Sequence, residues 1–453
     1  MSGLRSRWLV IFLLSLGCSF ANGQPQYPLK ISADGNYLVD QSDEPFLING
    51  DTPWALIMGL SKSEATLYLQ DRRARGFNAL LIELIEPYFS GPANRDGELP
   101  FLVSGDFSTP NEAYFAHADW VIQQAEAEGM VVFLTPAYLG YECGNQGYCA
   151  EMVANGTQKM REYGRWLGAR YASFPNIVWV AGGDADAHPT PGAFEVTQAM
   201  IEGILERDTL HLVTAHCDRG NAALDCYDAP WLQLNSTYSE CTHTALETQI
   251  DYERRSVMPF FFIEGSYEDE VSGSTRCARG QAYQSVLGGS TGHFYGNTPV
   301  WLFGSGWQAA LDAPGAASME YLGKLFSSRD WHELIPDFDH TVLIQGVGSV
   351  DSSDYAGSAR TSDDRTFIAY LPSLRTVTID LTRLAGSQSV AWWYDPRSGI
   401  SSSIGTFANT QSRQFTPPAA GDWVLVIDDA SAGLPAPGEG SIRPMPPQDL
   451  RVE

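Results

Sequence analysis

The chain is short of positive charge. Its 28 Lys and Arg stand against 54 Asp and Glu, a formal net charge of −26 over 453 residues. A field of that sign repels phosphate backbones and anionic headgroups, which argues against nucleic acid or acidic membranes as partners. Long apolar runs are missing beyond the N-terminus, so no integral membrane segment is expected in the mature chain. Arg5 and Arg7 precede the apolar run 8–16, and Ala21-Asn22-Gly23-Gln24 follows. That order reads as a signal peptide over 1–23, with a lipoprotein leader ending at Cys18 as the rival. A secreted or periplasmic protein follows from the first reading. Cysteine is sparse. Removing the leader leaves Cys143, Cys149, Cys217, Cys226, Cys241 and Cys277, an even set that suits disulfides in an exported chain. Nearest-neighbour pairing would join 143–149, 217–226 and 241–277, one of many possible connectivities. No cysteine spacing resembles a zinc site, and the strand ends carry neither a His-x-His metal pattern nor a serine nucleophile elbow. No metal and no cofactor are expected.

What is abundant is apolar and aromatic. Hydrophobic residues make up 44% and aromatics 12%, including 12 Trp and 20 Tyr. That supports a large core, and flat rings also suit the apolar faces of sugars.

From about residue 45 a unit repeats: a helical pattern, a Gly or Pro stop, then an apolar strand. Ser61-Lys62-Ser63-Glu64 is a capping box that opens the first helix. Further helices are predicted over 111–128 and 157–173. Strands are predicted at 46–49, 77–83, 130–135, 177–181, 211–214, 231–234, 259–263 and 292–295. Most are near-continuous apolar runs, as in parallel strands buried on both faces. Eight such units predict an α/β fold, a (β/α)8 TIM barrel over 45–338, preceded by a short β extension at 24–44. The doubly wound alternative lacks a Gly-rich phosphate loop after its first strand. Beyond it, short strands at 366–371, 377–381, 390–394 and 423–427 with turn chemistry between them predict a small antiparallel β-sandwich over 339–430. The Pro- and Gly-rich 431–453 reads as a flexible tail.

Barrel active sites gather at the carboxyl ends of strands. Those ends carry Asp51 and Trp54, Glu83 and Glu86, Tyr138, then Gly182-Gly183-Asp184 with Asp186 and His188, His216, Tyr238, Glu264 with Tyr267 and Glu268, and finally His293 and Tyr295. This set is rich in carboxylates and rings, the equipment of glycoside hydrolysis, which needs two carboxyl groups flanking the bond. Strands four and seven lie across an eight-strand ring from each other. Asp184 and Glu264 are therefore the candidate catalytic pair, with Asp186 as the runner-up acid. Candidate substrate contacts are Asp51, Trp54, Glu83, Tyr138, His216, Tyr238, Tyr267, His293 and Tyr295. Two other readings stay open: a non-catalytic carbohydrate-binding protein, and a metal hydrolase using Asp184, Asp186 and His188.

Several motifs together carry a resemblance. Asn49-Gly50-Asp51-Thr52-Pro53-Trp54, Arg75-Gly76-Phe77-Asn78, Asn176-Ile177-Val178-Trp179 leading to Gly182-Gly183-Asp184, Glu264-Gly265-Ser266-Tyr267-Glu268 and Gly292-His293-Phe294-Tyr295-Gly296 resemble the apiosidase-like glycoside hydrolases. The segment from Tyr394-Asp395-Pro396-Arg397 to Asp422-Trp423-Val424 is similar to a sandwich named for collagen binding in a collagenase. The resemblance spans about residues 28–430. It implies a retaining barrel in which Asp184 is acid/base and Glu264 nucleophile. It also implies an oligo- or polysaccharide substrate, since the family's activity is cleavage of apiose linkages in the pectic polysaccharide rhamnogalacturonan II. Gly183-Asp184 stands where many related barrels carry Asn-Glu.

Overall fold

The computed structural model describes residues 24–255, 258–270 and 273–440. The signal-peptide reading, Cys18 and most of the predicted tail lie outside the described residues.

Eight parallel strands form the barrel: β1 Ile48–Asp51, β2 Ala79–Glu83, β3 Val131–Thr135, β4 Ile177–Gly182, β5 Val213–His216, β6 Asn235–Tyr238, β7 Phe260–Glu264 and β8 Gly292–Tyr295. Neighbours pair in chain order, and β8 pairs back onto β1. The remaining seam, β5 to β6, lacks ladder pairing and is stitched by side chains. Thr214 Oγ1 donates to the Leu234 carbonyl at 2.7 Å, and Ser236 Oγ to the Ala215 carbonyl at 2.5 Å.

The main outer helices are α1 Lys62–Ala74, α2 Glu112–Ala127, α3 Cys149–Tyr171, α4 Ala193–Leu205, α5 Thr244–Arg254, α6 Thr275–Leu287 and α7 Pro314–Ser327. Ser61 closes the predicted capping box on α1. Helix α3 starts eight residues before its predicted position, at Cys149, but its backbone breaks at Gly156, where φ is 74°. The continuous part begins at Thr157, where the apolar stripe does. Strand β6 differs most from expectation. It is the polar Asn235–Tyr238, not the apolar 231–234. Its outward Asn235 and Thr237 are satisfied by Asp251 of α5, at 3.0 and 2.6 Å, so a polar strand is buried at little cost.

The C-terminal region holds a three-stranded and a six-stranded antiparallel sheet. The smaller joins β10 Leu343–Gln345, β13 Val377–Asp380 and β16 Ser412–Phe415. The larger contains β9 Leu334–Pro336, β11 Ser358–Thr361, β12 Thr366–Leu371, β14 Gln388–Asp395, β15 Ile400–Ala408 and β17 Trp423–Asp429. Residues Phe367, Leu371, Leu425 and Ile427 face the smaller sheet. Their alternates Ile368, Tyr370, Val424 and Val426 pack against α6 and α7 in one cluster with Tyr283, Leu322 and Phe326. Strands β12 and β17 are thus buried on both faces, which is why 367–371 and 423–427 are apolar runs. The junction is polar as well. Arg279 of α6 grips Asp422 with two hydrogen bonds, at 2.6 and 2.8 Å, and Arg329 grips Asp428 at 3.0 and 2.8 Å. Tyr283 stacks on Tyr370 with centroids 4.9 Å apart.

Three disulfides join Cys143 to Cys149, Cys217 to Cys226 and Cys241 to Cys277. All three sit at the carboxyl-end face of the barrel: in the β3–α3 loop, in the β5–β6 loop, and between the β6–α5 loop and α6.

A shared core predicts shared unfolding. Calorimetry should give one cooperative transition, and Asp422→Ala, which strands Arg279 in the interior, should destabilise by about 3–5 kcal/mol in urea titration. Two separate transitions would show that barrel and sandwich are independent.

Candidate active site

Side chains of a barrel strand alternate between the interior and the helices. Ala79 and Leu81 of β2 point inward, as do Val131 and Phe133 of β3. In the same phase Glu83 and Thr135 reach the upper interior, and they are register partners. Glu264 should fail this test. Phe261 and Ile263 point inward, so strict alternation would turn Glu264 outward. The ladder slips instead: Thr237 pairs with Phe262, and Tyr238 with Glu264. Ile263 is the extra residue of a β-bulge, and the bulge re-aims Glu264 into the barrel mouth.

The opposing carboxyl arrives by a different device. Gly182, Gly183 and Asp184 all have positive φ, at 80°, 129° and 44°. A Cβ on Gly183 would lie 2.2 Å from the Tyr138 ring, and one on Gly182 would lie 2.6 Å from the His216 carbonyl. Only glycine permits this turn to fold over the ring. The Asp184 backbone N–H donates to His216 Nδ1 at 3.0 Å, so Nδ1 must be unprotonated. His216 is then the neutral tautomer with its proton on Nε2. That atom lies 2.7 Å from Glu264 Oε2, close but poorly aligned for a full hydrogen bond. One imidazole therefore touches both candidate groups.

Burial raises the Asp184 carboxyl from its usual range to about 7, and the Glu264 charge pushes in the same direction. Its Oδ1 is buried without a hydrogen-bond partner among the described residues. Around the pair stand rings. Trp54 stacks on His216 with centroids 5.5 Å apart and donates Nε1–H to the Tyr267 hydroxyl at 2.6 Å. Tyr238 lies beside Glu264 in register, and its hydroxyl accepts from Arg219 at 3.3 Å.

With this geometry in view, comparison with known proteins is decisive. Residues 32–333 match the family model described as apiosidase-like, catalytic domain. The chain belongs to the apiosidase-like family. Membership makes it a glycosidase, and residues 336–428 match the model named for the collagen-binding domain of a collagenase. A glycoside hydrolase family 5 structure from Bacteroides vulgatus ATCC 8482 is similar in fold, with TM-score 0.79 and 23% identity over 89% of this chain and 94% of that one. Another structure, named glycoside hydrolase, gives TM-score 0.77 and 24% identity over 90% and 97%. No curated protein matches the chain.

Within this apiosidase-like barrel the sequence-based site needs pruning. Trp54, Glu83, Tyr138, His216, Tyr238 and Tyr267 gather around Asp184 and Glu264. Asp51, His293 and Tyr295 do not. Asp51 accepts from Arg72 at 2.5 Å, from Tyr68 at 2.7 Å and from the Thr52 N–H, all on the helix side of β1. In β8 the inward residue is Phe294, so both its neighbours face outward. His293 packs on Met319, and burial drives its imidazole down to about 3. Tyr295 donates to Glu268 at 2.5 Å. Glu268 also accepts from Thr275 and the Gly315 N–H, which makes it a brace between β7 and α7. Asp186 accepts from both the backbone N–H and the ring of His188, at 2.9 Å each. Asp184, Asp186 and His188 do not converge. Among the described residues the only cluster of possible metal ligands is Cys217, Asp218 and Cys226, two of them disulfide-bonded. Sequence reasoning overlooked Thr135, which strand phase could have found, and Arg219, which no spacing marks.

A carboxyl raised from 3.8 to about 7 by folding makes the native state bind more protons than the unfolded one. Stability should fall as pH rises from about 4 towards 7 and stay low above it. Asp184→Asn removes the buried charge, so it should melt higher than the parent at about pH 8 and equally at about pH 4. Equal melting at both values would refute the burial of this charge.

Proposed function

We propose that the chain hydrolyses a glycosidic bond of a plant or algal polysaccharide by a two-step retaining mechanism. The observation that carries this reading is the unequal environment of two carboxyl groups that interact electrostatically. Asp184 is held protonated up to about 7, while Glu264 faces the N–H of a neutral His216. Pairs whose environments differ in this way divide into acid and nucleophile.

In the first step Glu264 attacks the anomeric carbon. The bond to the leaving oxygen breaks as Asp184 protonates that oxygen, leaving a glycosyl ester on Glu264. Esterification removes the negative charge that helped raise the Asp184 carboxyl, so its basicity now suits an anion. Asp184 then takes a proton from a water that attacks the same carbon, and Glu264 leaves as carboxylate. His216 touches Glu264 and, through the Asp184 N–H, holds the loop that carries the acid. Tyr138, Tyr238, Tyr267 and Trp54 are positioned as walls for a sugar ring.

The family supports an apiose-containing pectic substrate. The six cysteines and the leader-like residues 1–23 support action outside the cytoplasm. The barrel over 45–338 carries the chemistry. The sandwich over 339–430 braces it, because the face turned to α6 and α7 is occupied.

Glu264→Gln and Asp184→Asn should each lower turnover of rhamnogalacturonan II by at least about 1000-fold, read from products of a glycan-panel digest. Asp184→Asn should retain more activity on aryl glycosides, whose leaving group needs no proton. The parent's kcat/KM should fall on the alkaline side near pH 7 as Asp184 ionises. Full activity in either variant would sink the assignment.

A further inference from the structure

Below the catalytic pair the barrel is closed. Phe133 contacts Phe261 and Phe294 with centroids 5.1 and 5.0 Å apart. Directly above that apolar layer, Glu83 and Thr135 stand side by side in register on β2 and β3. Both are buried, at 2% and 0% exposure, and neither Glu83 Oε2 nor Thr135 Oγ1 has a hydrogen-bond partner among the described residues. Two adjacent unpaired polar groups in such a place are costly unless something enters to satisfy them. Glu86 does not answer them. Its carboxyl accepts the N–H groups of Tyr88, Phe89 and Ser90.

We propose that Glu83 and Thr135 bind a ring hydroxyl of an uncharged glycone, with Glu83 as the donor, and that this floor rejects a uronate. The inference rests on the glycosidase reading of the same site. Geometry places the contact on the glycone. A sugar entering the mouth stops at the phenylalanine layer, whereas the leaving group exits past Asp184 towards exposed Tyr141 and Arg219. Charge sets the sugar class. The charges acting on Glu83 are both negative, from Glu86 and Glu264, and with burial they keep its carboxyl protonated well above the usual range. A neutral carboxyl donates its proton to a hydroxyl and lets Thr135 accept or donate in turn. A substrate carboxylate at this depth would meet carboxyl groups and, among the described residues, no buried cation, since Arg72 is turned outward onto Asp51.

The test compares Glu83→Ala, Glu83→Gln and Thr135→Val with the parent. The probes are rhamnogalacturonan II and 4-nitrophenyl glycosides of neutral sugars and of glucuronic and galacturonic acid. Melting temperatures are recorded alongside. Glu83→Ala should lower kcat/KM by about 10- to 100-fold and Thr135→Val by about 3- to 10-fold, while Glu83→Gln, whose amide still donates, should stay within about 5-fold. Uronides should not be cleaved. Undiminished activity in Glu83→Ala would overturn the proposal, as would cleavage of a uronide at the neutral rate. Glu83→Gln falling as far as Glu83→Ala with unchanged melting would do the same. If Glu83→Ala fails to fold, the Gln and Val variants still decide. A parent active on the panel alongside an undiminished Glu83→Ala sinks only this inference. A parent that releases nothing from any glycan sinks the functional reading and this one together.

Discussion

Three carboxyl groups share the upper layer of the barrel, and burial raises two of them, Asp184 and Glu83. Glu264 lies within electrostatic reach of both Asp184 and Glu83, in surroundings made largely of tyrosine, tryptophan and phenylalanine. Removing an ion from water is costly, and a second like charge beside it adds to that cost. Both effects push the carboxyls of Asp184 and Glu83 upward, towards the protonated form. In the proposed mechanism this division supplies an acid, a nucleophile and a hydroxyl donor from carboxyl groups alone. It also means that the native fold carries a destabilising cluster, as functional sites often do.

Other parts of the molecule restrain that cluster. The bulge at Ile263 and the positive-φ turn at Gly182, Gly183 and Asp184 spend local regularity to aim two side chains. His216 ties the results together, since its two nitrogens face the two devices. The disulfides act one shell out. Cys217 directly follows His216, Cys143 anchors the loop after Tyr138, and Cys241 links the loop after Tyr238 to the helix after Glu264. Further still, the sandwich clamps α6 and the turn after α7 with two buried Arg–Asp pairs. It shares their apolar core and is not tethered as a free module.

Much of this was legible in the chain. Runs such as Val131-Val132-Phe133-Leu134 announce strands buried on both faces, and Gly182-Gly183 before Asp184 announces a turn that needs no Cβ. Counting phase from Phe294 would also have turned His293 and Tyr295 outward, and counting from Phe133 would have found Thr135. Strand β6 was obscured because its polar residues are satisfied by Asp251, distant in sequence. Asp51 was misplaced because the guanidinium that claims it belongs to α1.

The sequence by itself determined the order of β and α units, the candidate carboxylates at the strand ends and the family. These rest on local periodicity and on residue identity, which require no neighbours. Tertiary structure alone decided which strand-end side chains reach the barrel mouth and which carboxyls burial raises. The bulge that turns Glu264 inward exists only in the pairing of β6 with β7, and the protonation of Asp184 and Glu83 follows from burial and from charges contributed by other strands. For the pair of Asp184 and Glu264, the chain supplied the names, and the closed barrel supplied the difference in their chemistry.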